Sequence, residues 1–82
     1  HELNDLEKIS KKLLSLKIKI KKTKNINKFL QKNKMKLEKF LNIKIEYLEN
    51  RSIKNLSISN NYTGSKIFLS YYFKGIRLID NF

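Results

Sequence analysis

The chain has 82 residues, and its 19 Lys and Arg against 7 Asp and Glu give a formal net charge of +12. A domain this short buries only about two thirds of its surface, so a thin core has to tolerate a strong self-repulsion. The absence of Cys excludes disulfides, thiolate nucleophiles and Cys-based zinc sites. The one His stands at position 1, which leaves no imidazole for a catalytic triad or a His metal cluster. We therefore expect a protein that is not an enzyme and that uses no metal, cofactor or small-molecule substrate.

Three residue types dominate the composition. Lys, Asn and Ile supply 38 of the 82 residues, whereas Ala, Val, Pro, Cys and Trp are absent. Codons rich in A and T encode the favoured types, so the composition indicates an AT-rich genome such as that of an organelle, an endosymbiont or a parasite. No apolar run approaches the roughly 20 residues that cross a membrane, and charge interrupts the segment that a secretory signal would need. We expect no membrane span.

Apolar residues at steps of three or four predict a first amphipathic helix. The stripe consists of Leu3, Leu6, Ile9, Leu13, Leu16 and Ile20. On a helical wheel Lys8, Lys12 and Lys19 fall along one flank of this stripe. The acids Glu2, Asp5 and Glu7 occupy the first turns, where the helix dipole favours negative charge. The strict alternation of residues 16–21 alone would fit a strand, but the longer pattern favours a helix.

Residues 21–25 are polar and predict a short connection, after which Asn25 or Asn27 can cap a second helix. A second stripe then follows, with Ile26, Leu30, Asn33, Leu37, Phe40 or Leu41, Ile45 and Leu48. It predicts a helix that fades at residues 49–52 and runs antiparallel to the first. Residues 43–47 also alternate as a strand does, so their assignment stays open.

Beyond residue 53 the apolar period changes from helical to alternating. Residues 56–59 alternate, residues 60–64 carry turn chemistry, and residues 66–73 are rich in β-branched and aromatic side chains. Gly75 allows a tight reversal before residues 76–79. The predicted fold class is mainly α: a basic antiparallel two-helix hairpin over residues 1–50, followed by a small β-hairpin-like extension over residues 51–82.

The charge is concentrated in one part of the chain. Residues 8–44 hold fourteen Lys and the single acid Glu38, whereas residues 45–82 are close to balance. Leu, Ile and Phe interrupt the Lys residues, unlike in a disordered polybasic tail. The pattern therefore predicts a folded basic surface for an anionic partner, with nucleic-acid phosphates foremost.

The two predicted helices resemble a known family in the order and length of their motifs. Helix one of that family closes on Leu-Phe-Asn-Leu-Arg-Phe, and the matching stretch here is Leu13-Leu14-Ser15-Leu16-Lys17-Ile18. Its connection reads Ala-Thr-Gly-Gln-Leu-x-Asn, against Lys22-Thr23-Lys24-Asn25-Ile26-Asn27 here. Its second helix reads Ile-Arg-x-x-Arg-Arg-x-Ile-Ala-Arg-Ile-x-Thr, against residues 30–42 here. On these motifs, residues 3 to about 48 resemble the two-helix protein number twenty-nine of the large ribosomal subunit.

The chain departs from this family at three points. It lacks the Gly of the connection, and it carries Asn33 at a usually apolar position and Glu38 at the position of a small residue. The C-terminal extension has no counterpart in the bacterial protein, so the resemblance covers rather more than half of the chain.

The resemblance implies a structural ribosomal protein that binds large-subunit ribosomal RNA near the nascent-peptide exit, beside neighbouring ribosomal proteins. Together with the composition, it implies a mitochondrial or other organellar ribosome. Lys–phosphate contacts would supply the affinity, largely independent of base sequence. By position, eight residues would make these contacts: Lys17, Lys21, Lys22, Lys24, Lys32, Lys34, Lys36 and Lys39.

Two alternatives stay open at the level of the sequence. Another organellar ribosomal protein, such as a fragment of small-subunit protein three, would share the chemistry without the helical hairpin. A basic docking subunit of a protein or membrane complex would instead use Leu14, Ile18 and the Tyr- and Phe-rich extension as its contact face.

Overall fold

The computed structural model of the chain describes residues 2–82, and the side chains of residues 6–82. Its elements in chain order are α1 (Glu2–Ile20), α2 (Ile26–Leu41), β1 (Lys44–Ser52), β2 (Ser65–Phe73) and β3 (Ile76–Asn81). The strands form one antiparallel sheet in the order β1-β2-β3. The fold is therefore α+β, and the predicted mainly-α class is wrong.

One apolar core joins the helices to one face of the sheet. Its buried members are Ile9, Leu13, Leu16, Ile20, Ile26, Leu30, Leu37, Ile43, Ile45, Leu48, Ile67, Leu69 and Tyr71. Helices, β1 and β2 all contribute, so neither the helices nor the strands have a core of their own. The predicted boundary between residues 50 and 51 falls inside β1.

The first helix and its connection are as predicted. The stripe residues Ile9, Leu13, Leu16 and Ile20 are buried, whereas Leu6, which the stripe also includes, is exposed. The side chains of Leu3, Glu2 and Asp5 lie outside the described part. Asn25 is the N-cap of α2, and its side chain accepts a hydrogen bond from the backbone N–H of Lys28 at 3.3 Å. The ammonium of Lys12 lies 4.6 Å from the ring centroid of Phe40, as expected for antiparallel helices.

The second helix ends at Leu41, and the prediction that it continues toward residues 49–52 is wrong. Asn42 adopts a left-handed conformation (φ 53°), and its N–H binds the carbonyl of Glu38, which terminates the helix. A strand follows, in agreement with the alternative assignment for residues 43–47.

A β-bulge explains why the apolar spacing was misleading. The pairing register shifts between Ile45 and Tyr47, so Glu46 is an extra residue in β1. Buried positions therefore fall at Ile45, Leu48 and Asn50, and the three-residue step mimics helical spacing.

The C-terminal region forms two of the three strands. Lys74 and Gly75 both have positive φ (50° and 80°), the geometry of a tight hairpin turn between β2 and β3. Residues 56–59 form no strand, and Ile58 makes only an isolated bridge to Arg51. The loop over residues 53–64 instead folds back on the end of β1 through backbone bonds, such as Ser59 N–H to the Asn50 carbonyl at 2.9 Å.

Side chains of α2 bind the outer edge of β1. The Asn27 side chain accepts from the Asn50 N–H at 2.8 Å and donates to the Asn50 carbonyl at 3.3 Å. One turn on, Gln31 donates to the Leu48 carbonyl at 2.9 Å. Near the helix end, the Glu38 carboxylate accepts from the Ile45 N–H at 2.8 Å. An edge strand exposes unpaired backbone groups, and these three side chains pair them as a further strand would.

Asn27 also ties the loop to this junction. Its side-chain amide donates to the Ser59 carbonyl at 2.8 Å and to the Asn60 side chain at 3.0 Å. Asn50, which is fully buried, donates to the same Ser59 carbonyl at 2.9 Å and to the Ser65 hydroxyl at 3.0 Å. Helix, strand and loop therefore meet at two Asn side chains.

We expect Asn27→Ala to destabilise the fold by about 2–3 kcal/mol, because it leaves the backbone N–H of buried Asn50 without a partner and removes the bonds from Asn27 to the Ser59 carbonyl and the Asn60 side chain. Gln31→Ala removes one bond and should cost about 1 kcal/mol. Lys32→Ala, on the exposed side of the same helix, should stay within about 0.5 kcal/mol. Urea unfolding followed by circular dichroism measures all three, and equal midpoints for the three variants would contradict the role of Asn27.

Candidate nucleic-acid interface

The helices and their connection carry a set of exposed Lys residues. We call it the helical basic surface, and it consists of the exposed residues Lys8, Lys11, Lys19, Lys21, Lys22, Lys24, Lys28, Lys32, Lys36 and Lys39. The helices turn their apolar stripes toward the sheet, which leaves the Lys side chains of both on the outside. Because both helices are amphipathic, Lys residues that are spread over more than thirty positions of the sequence lie on the outer side of the helices.

The described carboxylates form no ion pairs with this surface, although Glu7 is exposed on α1. Glu38 binds the backbone of β1, and Glu46 and Glu49 pair with Arg77 and Arg51 on the sheet at 2.7 and 2.9 Å. Among the side chains of residues 6–82, no Lys of the helical basic surface forms an ion pair with an acid. Its positive charge is therefore available to an external anion.

Seven of the eight predicted RNA-binding residues lie on or beside the helical basic surface. Six of them are exposed: Lys21, Lys22, Lys24, Lys32, Lys36 and Lys39. Lys34 is half-buried. Exposed Lys residues thus lie both in the connection and on the outer face of α2.

Lys17 does not belong to the helical basic surface. Its ammonium donates to the Phe82 carbonyl at 3.1 Å and lies 5.0 Å from the ring centroid of Tyr62. Partial burial, and after it the charge of Lys66, lowers the pKa of Lys17 below its ordinary value of 10.5. This residue holds the chain's last residues against α1, which is a structural role.

A groove between α1 and α2 brings together basic residues that the sequence-based site did not include. It has a volume of about 320 Å³, and it is lined by Lys12, Ser15, Leu16, Lys19, Asn33, Lys36, Leu37 and Phe40. Of its three Lys residues, only Lys36 belongs to the predicted set. The sequence indicates that Lys12 and Lys19 lie on one flank of the first helix. It does not indicate their proximity to Lys36, because that depends on how the two helices pack.

The aromatic residues divide between the core and the outer face of the sheet. Tyr71 is buried in the core, and Tyr62 packs against its edge. On the outer face, Tyr72 is 37% exposed and its hydroxyl lies 3.3 Å from the Glu46 carboxylate. The same carboxylate accepts from the Ser70 hydroxyl at 2.9 Å and from Arg77 at 2.7 Å. Glu46, which the bulge provides, therefore links all three strands.

Comparison of the chain with family models, curated proteins and solved structures finds no match. No helix in the described part is long and apolar enough to cross a membrane. No cluster of described His, Cys, Asp or Glu residues is suited to hold a metal ion.

The hydrogen bonds from Arg77 and then Ser70 lower the pKa of Glu46 below its ordinary value of 4.5. A carboxyl whose pKa falls on folding stabilises the fold above its unfolded pKa, and this contribution is lost as the pH falls through the folded value. We expect Arg77→Gln to raise the Glu46 pKa toward 4.5, as measured by an NMR titration of its carboxyl carbon. The matched change Arg51→Gln, at the other Arg–Glu pair of the sheet, should leave it unchanged. A titration in which the two variants are alike would contradict this assignment.

Proposed function

We propose that this chain is a non-enzymatic RNA-binding protein that grips the phosphate backbone with its helical basic surface. The observation that supports the proposal most is the separation of charges: Glu38, Glu46 and Glu49 bind groups of the sheet, whereas among the side chains of residues 6–82 the Lys residues of the helices and their connection have no acidic partner. A net charge of +12 on a thin core also favours an anionic partner, because neutralisation relieves self-repulsion.

The chemistry of this grip is counterion release. Each Lys that approaches a phosphate displaces a condensed cation, so the affinity falls as salt rises and depends little on base sequence. Lys presents a flexible ammonium and not the planar fork of Arg, which suits phosphates of variable geometry. The contacts would come from the exposed predicted residues Lys21, Lys22, Lys24, Lys32, Lys36 and Lys39, with half-buried Lys34 beside them.

The setting that we propose is the ribosome, and within it the large subunit near the nascent-peptide exit. The support is the resemblance of the helical segment to protein number twenty-nine of the large ribosomal subunit. The antiparallel packing of α1 and α2 is consistent with this resemblance. The resemblance spans residues 3 to about 48, so the first half of β1 lies within it, whereas β2 and β3 lie outside it. The AT-rich composition favours a mitochondrial or other organellar ribosome. A small-subunit protein would use the same phosphate chemistry and is the nearest alternative.

Contacts with neighbouring ribosomal proteins are part of this proposal. Leu14 and Ile18 lie on the outer side of α1, and their side chains are 66% and 65% exposed. Large apolar side chains at such exposure gain from burial against a partner. A docking subunit of another complex would use the same pair, so the decisive difference is whether the association depends on RNA.

The purified chain should bind an A-form RNA hairpin, and its affinity should fall steeply with salt. We expect a slope of log K against log salt steeper than about −3, because several phosphates are neutralised at once. Fluorescence anisotropy between 50 and 300 mM KCl, roughly the range where counterion release is easily resolved, measures this slope. An absence of binding at the lowest salt, or a slope near zero, would rule out the proposed grip.

In a native lysate the chain should sediment with the large ribosomal subunit, and treatment with RNase should abolish this migration. The measurement is a gradient of treated and untreated lysate with each fraction probed for the chain. Migration with the small subunit would keep RNA binding but exclude the large-subunit setting. Recovery in a complex that RNase leaves intact would favour the docking subunit and contradict the ribosomal proposal.

A further inference from the structure

We propose that the groove between α1 and α2 is a dedicated phosphate-binding site, in which Lys12, Lys19 and Lys36 receive a segment of RNA backbone. The inference rests on the proposed RNA-binding function and names a place for it within the helical basic surface. It also adds Lys12 and Lys19 to the residues that contact RNA.

The walls and floor of the groove differ in chemistry. Leu16 and Leu37 form an apolar floor, with side chains only 5% and 3% exposed. Lys12, Ser15 and Lys19 line the wall from α1, whereas Asn33 and Lys36 line the wall from α2. Cations and hydrogen-bond donors thus stand on both sides of an apolar floor. Apolar atoms beside a charge reduce its screening by water relative to an open helix face.

Two polar residues keep the groove open. Ser15 and Asn33 stand where the helices face each other, at positions where larger apolar side chains would fill the space. The Asn33 side chain donates to the Phe29 carbonyl at 2.8 Å, which fixes its amide and leaves its second N–H for another acceptor. Within the described side chains, the Ser15 hydroxyl has no hydrogen-bond partner.

The charges of the groove are uncompensated. No carboxylate lines it, and among residues 6–82 neither Lys19 nor Lys36 has an ion-pair partner. The ammonium of Lys12 lies 4.6 Å from the Phe40 ring centroid, a contact that holds it at one end of the groove. Three cations gathered on two walls repel one another, and a phosphate between them converts this repulsion into attraction.

The test compares two triple variants that lose the same charge. The groove variant is Lys12→Gln, Lys19→Gln, Lys36→Gln, and the control is Lys44→Gln, Lys54→Gln, Lys66→Gln, at exposed positions on the strands and their loop. Affinity for the A-form RNA hairpin is measured by anisotropy over the same salt range. We expect the groove variant to bind about 30-fold more weakly and its salt slope to fall by about two to three, because about three phosphate contacts are lost. The control should lose no more than about 3-fold through long-range attraction.

A second variant removes the space and keeps the charge. Ser15→Leu with Asn33→Leu fills the groove with apolar side chains at positions beside the core, where added apolar burial favours the fold. We expect it to bind the hairpin about 10-fold more weakly at unchanged net charge, because the RNA backbone can no longer enter the groove between the three ammonium groups. Circular dichroism confirms that each variant retains its helices.

The outcomes separate the two proposals. Equal losses in the two triple variants, or full binding by the filled variant, would overturn the groove and leave RNA binding in place. An original chain that fails to bind the hairpin at low salt would overturn both. A groove variant with a selective loss, together with a weakened filled variant, would support the site.

Discussion

The fold depends on the way α2 covers the edge of β1. Asn27, Gln31 and Glu38 project from one side of the helix and pair backbone groups of the strand that would otherwise be unsatisfied. Because the helix is held by its side, its apolar stripe faces the core and its opposite side faces solvent. The orientation of α2, and with it the position of every Lys along this helix, follows from these bonds.

The same arrangement separates the two signs of charge. Glu38 accepts a backbone N–H of β1, and the bulge directs Glu46 across the outer face of the sheet toward Arg77. Glu38 and Glu46 thus stabilise strands, whereas most Lys residues lie outside the network of internal contacts. Lys17, which binds the carbonyl of Phe82, and Lys12, whose ammonium lies over the Phe40 ring, are among the exceptions. A protein that uses its acids for folding and its bases for contact is suited to a large polyanion.

Much of the fold could be predicted from local patterns, and the errors have identifiable causes. The stripe of α1, the Asn25 cap and the reversal at Gly75 are local signals, and each is realised. The bulge at Glu46 gave β1 a helical spacing, which made the fold look mainly α. In the sequence, Asn27, Gln31 and Glu38 look like residues of any solvent-exposed helix face. Their hydrogen-bond partners lie 7–23 residues away, so the local pattern does not indicate them. The basic surface could be predicted from composition, but the loss of Lys17 from it depends on a contact 65 residues along the chain.

The two edges of the sheet differ in whether other groups cover them, and this difference affects self-association. Side chains of α2 occupy the outer edge of β1, whereas within residues 2–82 no strand pairs with the outer edge of β3, where Ile76 and Ile79 are exposed. An open apolar edge is a template for another chain, and mutual repulsion between copies at +12 opposes such pairing. Excess polyanion or high salt weakens that repulsion. When a polyanion neutralises the basic surface, copies of the chain therefore repel one another less. The open edge of β3 can then pair with another copy unless a neighbouring molecule covers it.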